Sequence, residues 1–159
     1  MPPVIKYMKK TIMKETIQKL RKAKMAHKRW VGHASALIEG IPIEKEQVPI
    51  NYTDCVFGNW YYDAGQNLAS LKEYKEIEEP HTQLHLTYME IFKILFTKKK
   101  ISIFGKLVGK KSTVTEQEKQ LARAKFSTLQ EISKTVISKL DTLEQKLKDM
   151  GEEQVSKLV

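Results

Sequence analysis

The chain has 159 residues, of which 41% are hydrophobic and 30% are charged, and its formal net charge is +9. This composition favours a folded soluble chain over a disordered one, and the length favours one domain with a substantial core. The single cysteine excludes an intrachain disulfide and fits a reducing compartment, so we expect a cytoplasmic protein. We find no signal peptide and no segment that is long and apolar enough to span a membrane.

The positive charge raises the question of nucleic-acid binding. The lysines are spread along the chain and mostly interleaved with glutamates, a pattern typical of solvated helix faces. We find no Arg-rich recognition helix and no glycine-aromatic strand motif. We therefore predict that the protein does not bind nucleic acid.

The first segment has core positions at alternating three- and four-residue steps, which predicts a helix from Val4 to Glu39. Gly40 and Pro42 end it, and a connector with two prolines follows. The core-facing stripe of this helix consists of Ile17, Leu20, Lys24, His27, Val31, Ala34 and Ile38.

The second segment runs from Asn51 to Asp63 and contains the aromatic stretch DCVFGNWYY. It predicts a short helix with Asn51 or Thr53 as the N-cap. A strand is the alternative, because Gly58 weakens a helix, but only the short stretch KISIFGKLV could pair with it.

The third helix is predicted from Pro80 to Thr97, or from as early as Leu68, with Pro80 in its first turn. Its stripe consists of His81, His85, Tyr88, Phe92 and Leu95. The lysine-rich residues 98–112 break the pattern and predict a basic loop.

The last helix is predicted over about 113–150, opened by a capping box from Thr113 to Glu116 and ended by Gly151. Its stripe consists of Leu129, Ile132, Val136, Leu140, Leu143 and Leu147. The four segments together predict an all-α, antiparallel four-helix bundle that forms one domain over residues 1–150, followed by a frayed tail at 151–159.

Two of these stripes contain histidines where a core would carry apolar side chains. His27 lies in the first stripe, and His81 and His85 lie one helical turn apart in the third. Burying several imidazoles without partners costs free energy of the order of kcal/mol each. A metal bound by these three side chains and Cys55 removes that cost, and three nitrogens with one thiolate suit tetrahedral Zn²⁺. An ordinary structural role for the histidines is the alternative.

Three further residues are candidates for a supporting role. Trp30 and Trp60 are most simply core aromatics, although next to a metal they would also exclude water. Gly58 would supply the turn that directs Cys55 inward. His33 lies six residues after His27, roughly on the opposite side of the helix, so we predict either a surface position or one directly behind the metal ligands.

These residues resemble the chemoreceptor zinc-binding (CZB) domain. The family pattern is HxxW, then CxxGxW followed by an aromatic residue, then HxxxH. It is matched in order by His27-Lys-Arg-Trp30, by Cys55-Val-Phe-Gly58-Asn-Trp60-Tyr61 and by His81-Thr-Gln-Leu-His85, within residues 16–97. The resemblance implies a four-helix bundle, commonly dimeric, in bacterial cytoplasmic sensors, with Zn²⁺ bound by His27, Cys55, His81 and His85. Family members often have an acidic residue before the first histidine, where this chain has Ala26.

The resemblance further implies sensing of zinc, of hypochlorous acid, or of both, in chemotaxis or related signal transduction. No methyl-accepting hairpin and no cyclase motif accompanies the domain, so we expect a stand-alone member that acts through a chemoreceptor, a cyclase or another partner. The alternative is a structural helical adaptor with a permanent zinc staple. We expect no enzymatic activity, because four protein ligands leave zinc no open position for water.

Overall fold

The computed structural model describes residues 3–41, 51–96 and 114–158. Within these ranges the regular elements are all helical, which confirms the all-α class. The helices are α1 (Pro3–Ile38), α2 (Val56–Tyr62), a 3₁₀ helix (Ala64–Leu68), α3 (Lys72–Lys75), α4 (Glu78–Phe96) and α5 (Glu116–Leu158). The predicted basic loop at 98–112 lies outside the described residues.

The long helix α5 packs against both α1 and α4, and the short α2 lies against α1, so the predicted helical bundle is present. Ion pairs show that α5 runs antiparallel to its two long neighbours, since contacting residue numbers rise on one helix as they fall on the other. These ion pairs are Arg21–Glu144 and Glu39–Arg123 on the α1 side, and Glu76–Lys139 and Glu90–Lys125 on the α4 side. The predicted stripe of α5 lines the core, with Ile132 only partly buried.

Helix α1 ends as its sequence predicts. Gly40 adopts a φ of 75°, a left-handed conformation that glycine tolerates without steric cost. Its N–H donates to the Leu37 carbonyl, and the Ile41 N–H donates to the Ala36 carbonyl. These two bonds form a Schellman motif, which satisfies the last carbonyls of the helix.

Helix α2 begins later than predicted, and the predicted N-caps Asn51 and Thr53 are wrong. Both of these side chains hydrogen-bond to the Asp54 carboxylate instead. The N-cap is Cys55, whose Sγ accepts a hydrogen bond from the Gly58 N–H at 3.1 Å. The capping position therefore carries the thiol.

Helix α5 begins with a capping box two residues after the predicted one. The Thr115 N–H and hydroxyl both donate to the Glu118 carboxylate, and the Glu118 N–H donates back to the Thr115 hydroxyl. The helix is interrupted at Gly151, where φ is 76°, as the sequence predicts. Beyond it the chain is helical again and Val155 is fully buried, which differs from the predicted frayed tail.

Candidate metal centre

Four buried side chains from three helices meet in the core of the bundle. His27 comes from α1, Cys55 from the start of α2, and His81 and His85 from successive turns of α4. Each offers one ligand atom, and these atoms all lie within 4.8 Å of one another. The structure thus brings together all four residues that the sequence predicts as metal ligands.

The orientation of His27 is set by its own helix. Its Nδ1 lies 2.9 Å from the Ala23 carbonyl oxygen, and because a carbonyl only accepts, Nδ1 carries the proton and donates. The lone pair is then on Nε2, which is buried without a hydrogen-bond partner. A metal ion at the cluster is the natural partner for such a nitrogen, and the backbone bond would fix the ring for it.

The pair on α4 completes the nitrogen set. His81 and His85 are one turn apart, and their ring centroids lie 4.8 Å from each other. His81 Nε2 lies 3.4 Å from Cys55 Sγ. Two ligands of a tetrahedral zinc ion with ordinary Zn–N and Zn–S bonds lie about 3.3–3.8 Å apart, so this pair already has the required separation.

Cys55 is positioned by a close approach of two backbone segments. Gly58 lies one turn into α2, and a Cβ built on it would come within 1.9 Å of the Tyr52 carbonyl oxygen. Only glycine permits this approach, and it lets the Gly58 N–H reach Cys55 Sγ at 3.1 Å. The glycine of the second motif therefore directs the sulfur toward the histidines.

Burial controls the protonation of the cluster. Desolvation, with a smaller contribution from the nearby His85, lowers the pKa of His27 to about 4. Desolvation and the neighbouring His27 and His85 rings lower the pKa of His81 to about 2. These two imidazoles are neutral at pH 7, the form that binds metals. Burial raises the pKa of the Cys55 thiol, and the Gly58 N–H opposes that shift.

The donor set fits zinc. Three imidazoles and one thiol suit the borderline-soft character of Zn²⁺ and supply the four ligands of a closed tetrahedral site. The orphaned His27 Nε2 is independent support, because a buried nitrogen without a partner is costly unless a ligand satisfies it.

Aromatic rings enclose the cluster on two sides. Trp30 lies with its ring centroid 4.6 Å from that of His85 and stacks on Tyr88 at 4.0 Å. Phe57 packs edge-on against His81 at 4.8 Å. These rings shield the cluster from water on those two sides. The sequence analysis missed Phe57, although it lies two residues after Cys55 within the second motif.

The other predicted supporting tryptophan lies further out. Trp60 is only partly buried, and its ring contacts are with Phe57 and Tyr74 rather than with a ligand. It touches the cluster only through Phe57. His33 lines the same cavity as Cys55 and His27 and has a buried Nδ1, so of its two predicted positions it takes the one behind the ligands.

A cavity of about 490 Å³ at the surface leads to this cluster. Three of the four predicted ligands contribute to its wall, namely His27, Cys55 and His85. Arg29 and His33 supply further polar groups, and the remaining walls are Ala26, Trp30, Val56 and Phe57. A small molecule can therefore approach the sulfur from outside.

Comparison with known proteins gives one match. The family model of the chemoreceptor zinc-binding domain matches residues 27–92, a range that contains all four clustered residues. No curated protein and no solved structure matches the chain significantly. Residues 27–92 therefore match the chemoreceptor zinc-binding (CZB) domain, and zinc is the cofactor that their four clustered side chains fit.

Proposed function

We propose that this protein is a bacterial cytoplasmic sensor in which Cys55, as a zinc ligand, is the responsive group. The signal is zinc itself, an oxidant such as hypochlorous acid, or both, and the output goes to chemotaxis or a related signalling pathway. The family match and the clustered ligands support zinc binding. The cytoplasm is proposed because a lone cysteine that must stay reduced suits a reducing compartment.

The observation that carries the proposal is the placement of Cys55. The three histidines project from the long helices α1 and α4, whereas Cys55 caps the seven-residue helix α2. The cavity of about 490 Å³ reaches the cysteine. The ligand open to chemical attack is thus also the one on the shortest ligand-bearing helix.

Bound zinc would hold Cys55 as a thiolate, the form that oxidants attack. The thiolate sulfur attacks the chlorine of hypochlorous acid, an S–Cl bond forms, and hydroxide leaves. Water then displaces chloride, which yields the sulfenic acid, chloride and a proton. The sulfur has lost two electrons and the chlorine has gained them, so no further reductant or oxidant is required.

A sulfenic acid is a poorer metal ligand than a thiolate, so oxidation would free the start of α2. The Gly58 N–H would lose its anionic acceptor, and the exposed Val56, next to the sulfur, would move with the helix. This change at the surface would be the output, read by a second copy of the chain or by a receptor or cyclase. We propose a homodimer as the working assembly.

The test is zinc release on oxidation. The zinc-loaded protein is titrated with hypochlorous acid, and released metal is measured with a chromogenic chelator. Wild type should release one zinc per oxidised Cys55. Met25→Leu is the matched control, because the exposed Met25 is another oxidisable sulfur and its loss should leave release unchanged. Zinc retained in wild type after Cys55 is oxidised would contradict the redox proposal.

A structural zinc staple is the second candidate, favoured by the burial of all four ligands. It predicts zinc that resists both mild oxidation and exchange at physiological free zinc. We propose no enzymatic activity, because four protein ligands would close the coordination sphere. X-ray absorption spectroscopy of the zinc-loaded protein would reveal a bound water if this is wrong.

A further inference from the structure

The positive charge of the chain is concentrated on one helix. Between Pro3 and Ile38, α1 carries eight lysines and two arginines against one acidic residue, Glu15, which gives +9. This equals the formal net charge of the whole chain, so the remaining residues are neutral overall. The mixed-charge pattern expected from the sequence therefore does not hold along α1, and the lysine-rich residues 98–112 are a second exception to it.

Five unpaired cations of α1 share one outward face. Lys10, Lys14, Lys22, Lys28 and Arg29 are all exposed, and none forms an ion pair with another described residue. The opposite side of α1 is buried in the bundle, through residues such as Leu20 and Ala34. This exposed set is called the cationic face below.

Two large apolar side chains lie along the centre of the cationic face. Tyr7 and Met25 are 73% and 63% exposed. Eighteen residues separate them, which is about five helical turns, so they share one line along α1 about 27 Å apart. Helical geometry puts Lys14 and Lys28 on one side of this line, and Lys22 and Arg29 on the other.

We infer that the cationic face binds the surface of an anionic phospholipid membrane. Because α1 is straight, all the charges of the cationic face can contact a flat membrane surface at the same time. The exposed Tyr and Met side chains can enter the headgroup layer between the lysines. The anionic cytoplasmic leaflet attracts such lysines within about a Debye length. Binding is peripheral, and none of the described helices is long and apolar enough to cross the bilayer.

Other occupants fit this face less well. The cationic face of a second copy of the chain would repel this one, because both faces are positively charged. Sequence-specific nucleic-acid recognition favours Arg for its paired donors, whereas α1 has eight lysines and two arginines. A phosphate backbone also gives Met25 no apolar environment. Charge and apolar groups together favour the membrane.

The experiment is co-sedimentation of the zinc-loaded full chain with vesicles of phosphatidylcholine, with or without phosphatidylglycerol. Binding should require phosphatidylglycerol and weaken as salt is raised. Each lysine near an anionic surface contributes about a five-fold factor to partitioning. Replacing Lys14, Lys22 and Lys28 by Gln should therefore reduce the partition coefficient about 100-fold.

The matched control removes the same charge elsewhere, by replacing the exposed Lys75, Lys134 and Lys157 with Gln. It should reduce binding by less than about ten-fold, because these residues lie off α1. An equal loss in both triple variants would overturn the inference, since net charge alone would then explain binding. Circular dichroism and zinc content verify that each variant is folded.

A second pair of variants tests the apolar contribution at constant charge. Met25→Gln should weaken vesicle binding at least two-fold, whereas Leu121→Gln, at a residue that is 52% exposed on α5, should not. No binding to phosphatidylglycerol vesicles at low salt would overturn the inference. Tighter binding to a duplex oligonucleotide than to vesicles, lost in the α1 triple variant, would overturn it in favour of nucleic acid.

Discussion

Replacing Gly58 by alanine tests directly how the fold directs Cys55 to the metal. The added Cβ would lie 1.9 Å from the Tyr52 carbonyl oxygen, whereas real Cβ contacts stay above 3.0 Å. The obstacle is backbone rather than a flexible side chain, so the two segments must separate by at least about 1 Å. The Gly58 N–H would then lose its hydrogen bond to Cys55 Sγ.

The expected magnitude follows from metal geometry. A zinc site tolerates ligand displacements of only about 0.2 Å, and losing a group that orients a ligand typically costs about 10- to 100-fold in metal affinity. We therefore expect Gly58→Ala to raise the zinc dissociation constant by about 10- to 100-fold. The histidines would be unchanged, so residual binding through three ligands should remain.

Competition with a chromophoric zinc chelator measures this affinity. Gly32→Ala is the matched control, because Gly32 lies exposed on α1 and a Cβ there meets nothing within 4 Å. Its zinc affinity should equal that of wild type, with a gain in stability of up to about 1 kcal/mol. Zinc affinity of Gly58→Ala within two-fold of wild type would refute the argument that this close approach positions the sulfur.

Three further outcomes are expected. Burial opposes ionisation of Glu144, but hydrogen bonds from Arg21, Lys148 and Lys24 lower its pKa to about 2. Solvent screens its pairs with the half-exposed Arg21 and Lys148, so we expect a stabilisation of about 1–2 kcal/mol, which is present above the unfolded pKa of about 4.5 and is lost as pH falls toward 2. Glu144→Gln should therefore cost about that much at pH 7 in urea unfolding and flatten the acid limb. Chelating zinc from protein saturated at about 1,000 times the dissociation constant should remove about 4 kcal/mol and lower the Tm by about 8–16 °C in calorimetry, and an unchanged Tm would show that metal and folding are uncoupled. Trp30→Ala should cost about 3–5 kcal/mol, because the ring is buried between His85 and Tyr88, and the partly exposed Trp60 should cost less on the same substitution.

The helices and the ligand set could be predicted from local sequence because their signals are local. His81 and His85 are one turn apart in any helix, and the apolar stripe around them shows which side is buried. Gly40 ends α1 through a motif that involves only its own neighbours. Gly151 also adopts a positive φ, of 76°, but it interrupts α5 rather than ending it.

The predicted helix starts were wrong where two neighbouring capping motifs compete for the same helix, or where another side chain binds the predicted N-cap. Both Thr113 and Thr115 are followed three residues later by glutamate, and the structure has the second box at the helix start. Asn51 and Thr53 are better N-caps by propensity, yet Asp54 takes both side chains and leaves Cys55 as the cap.

The stretch DCVFGNWYY shows what sequence alone determined and what tertiary structure decided. Composition, periodicity and motif spacing sufficed to predict an all-α domain and the four side chains that meet in its core. They could not distinguish the roles of Phe57 and Trp60, because both are aromatic and three residues apart. Only the approach of α2 to α1 and α4 puts Phe57 against the histidines and leaves Trp60 outside. Such contacts join residues far apart in the chain, and local periodicity carries no information about them.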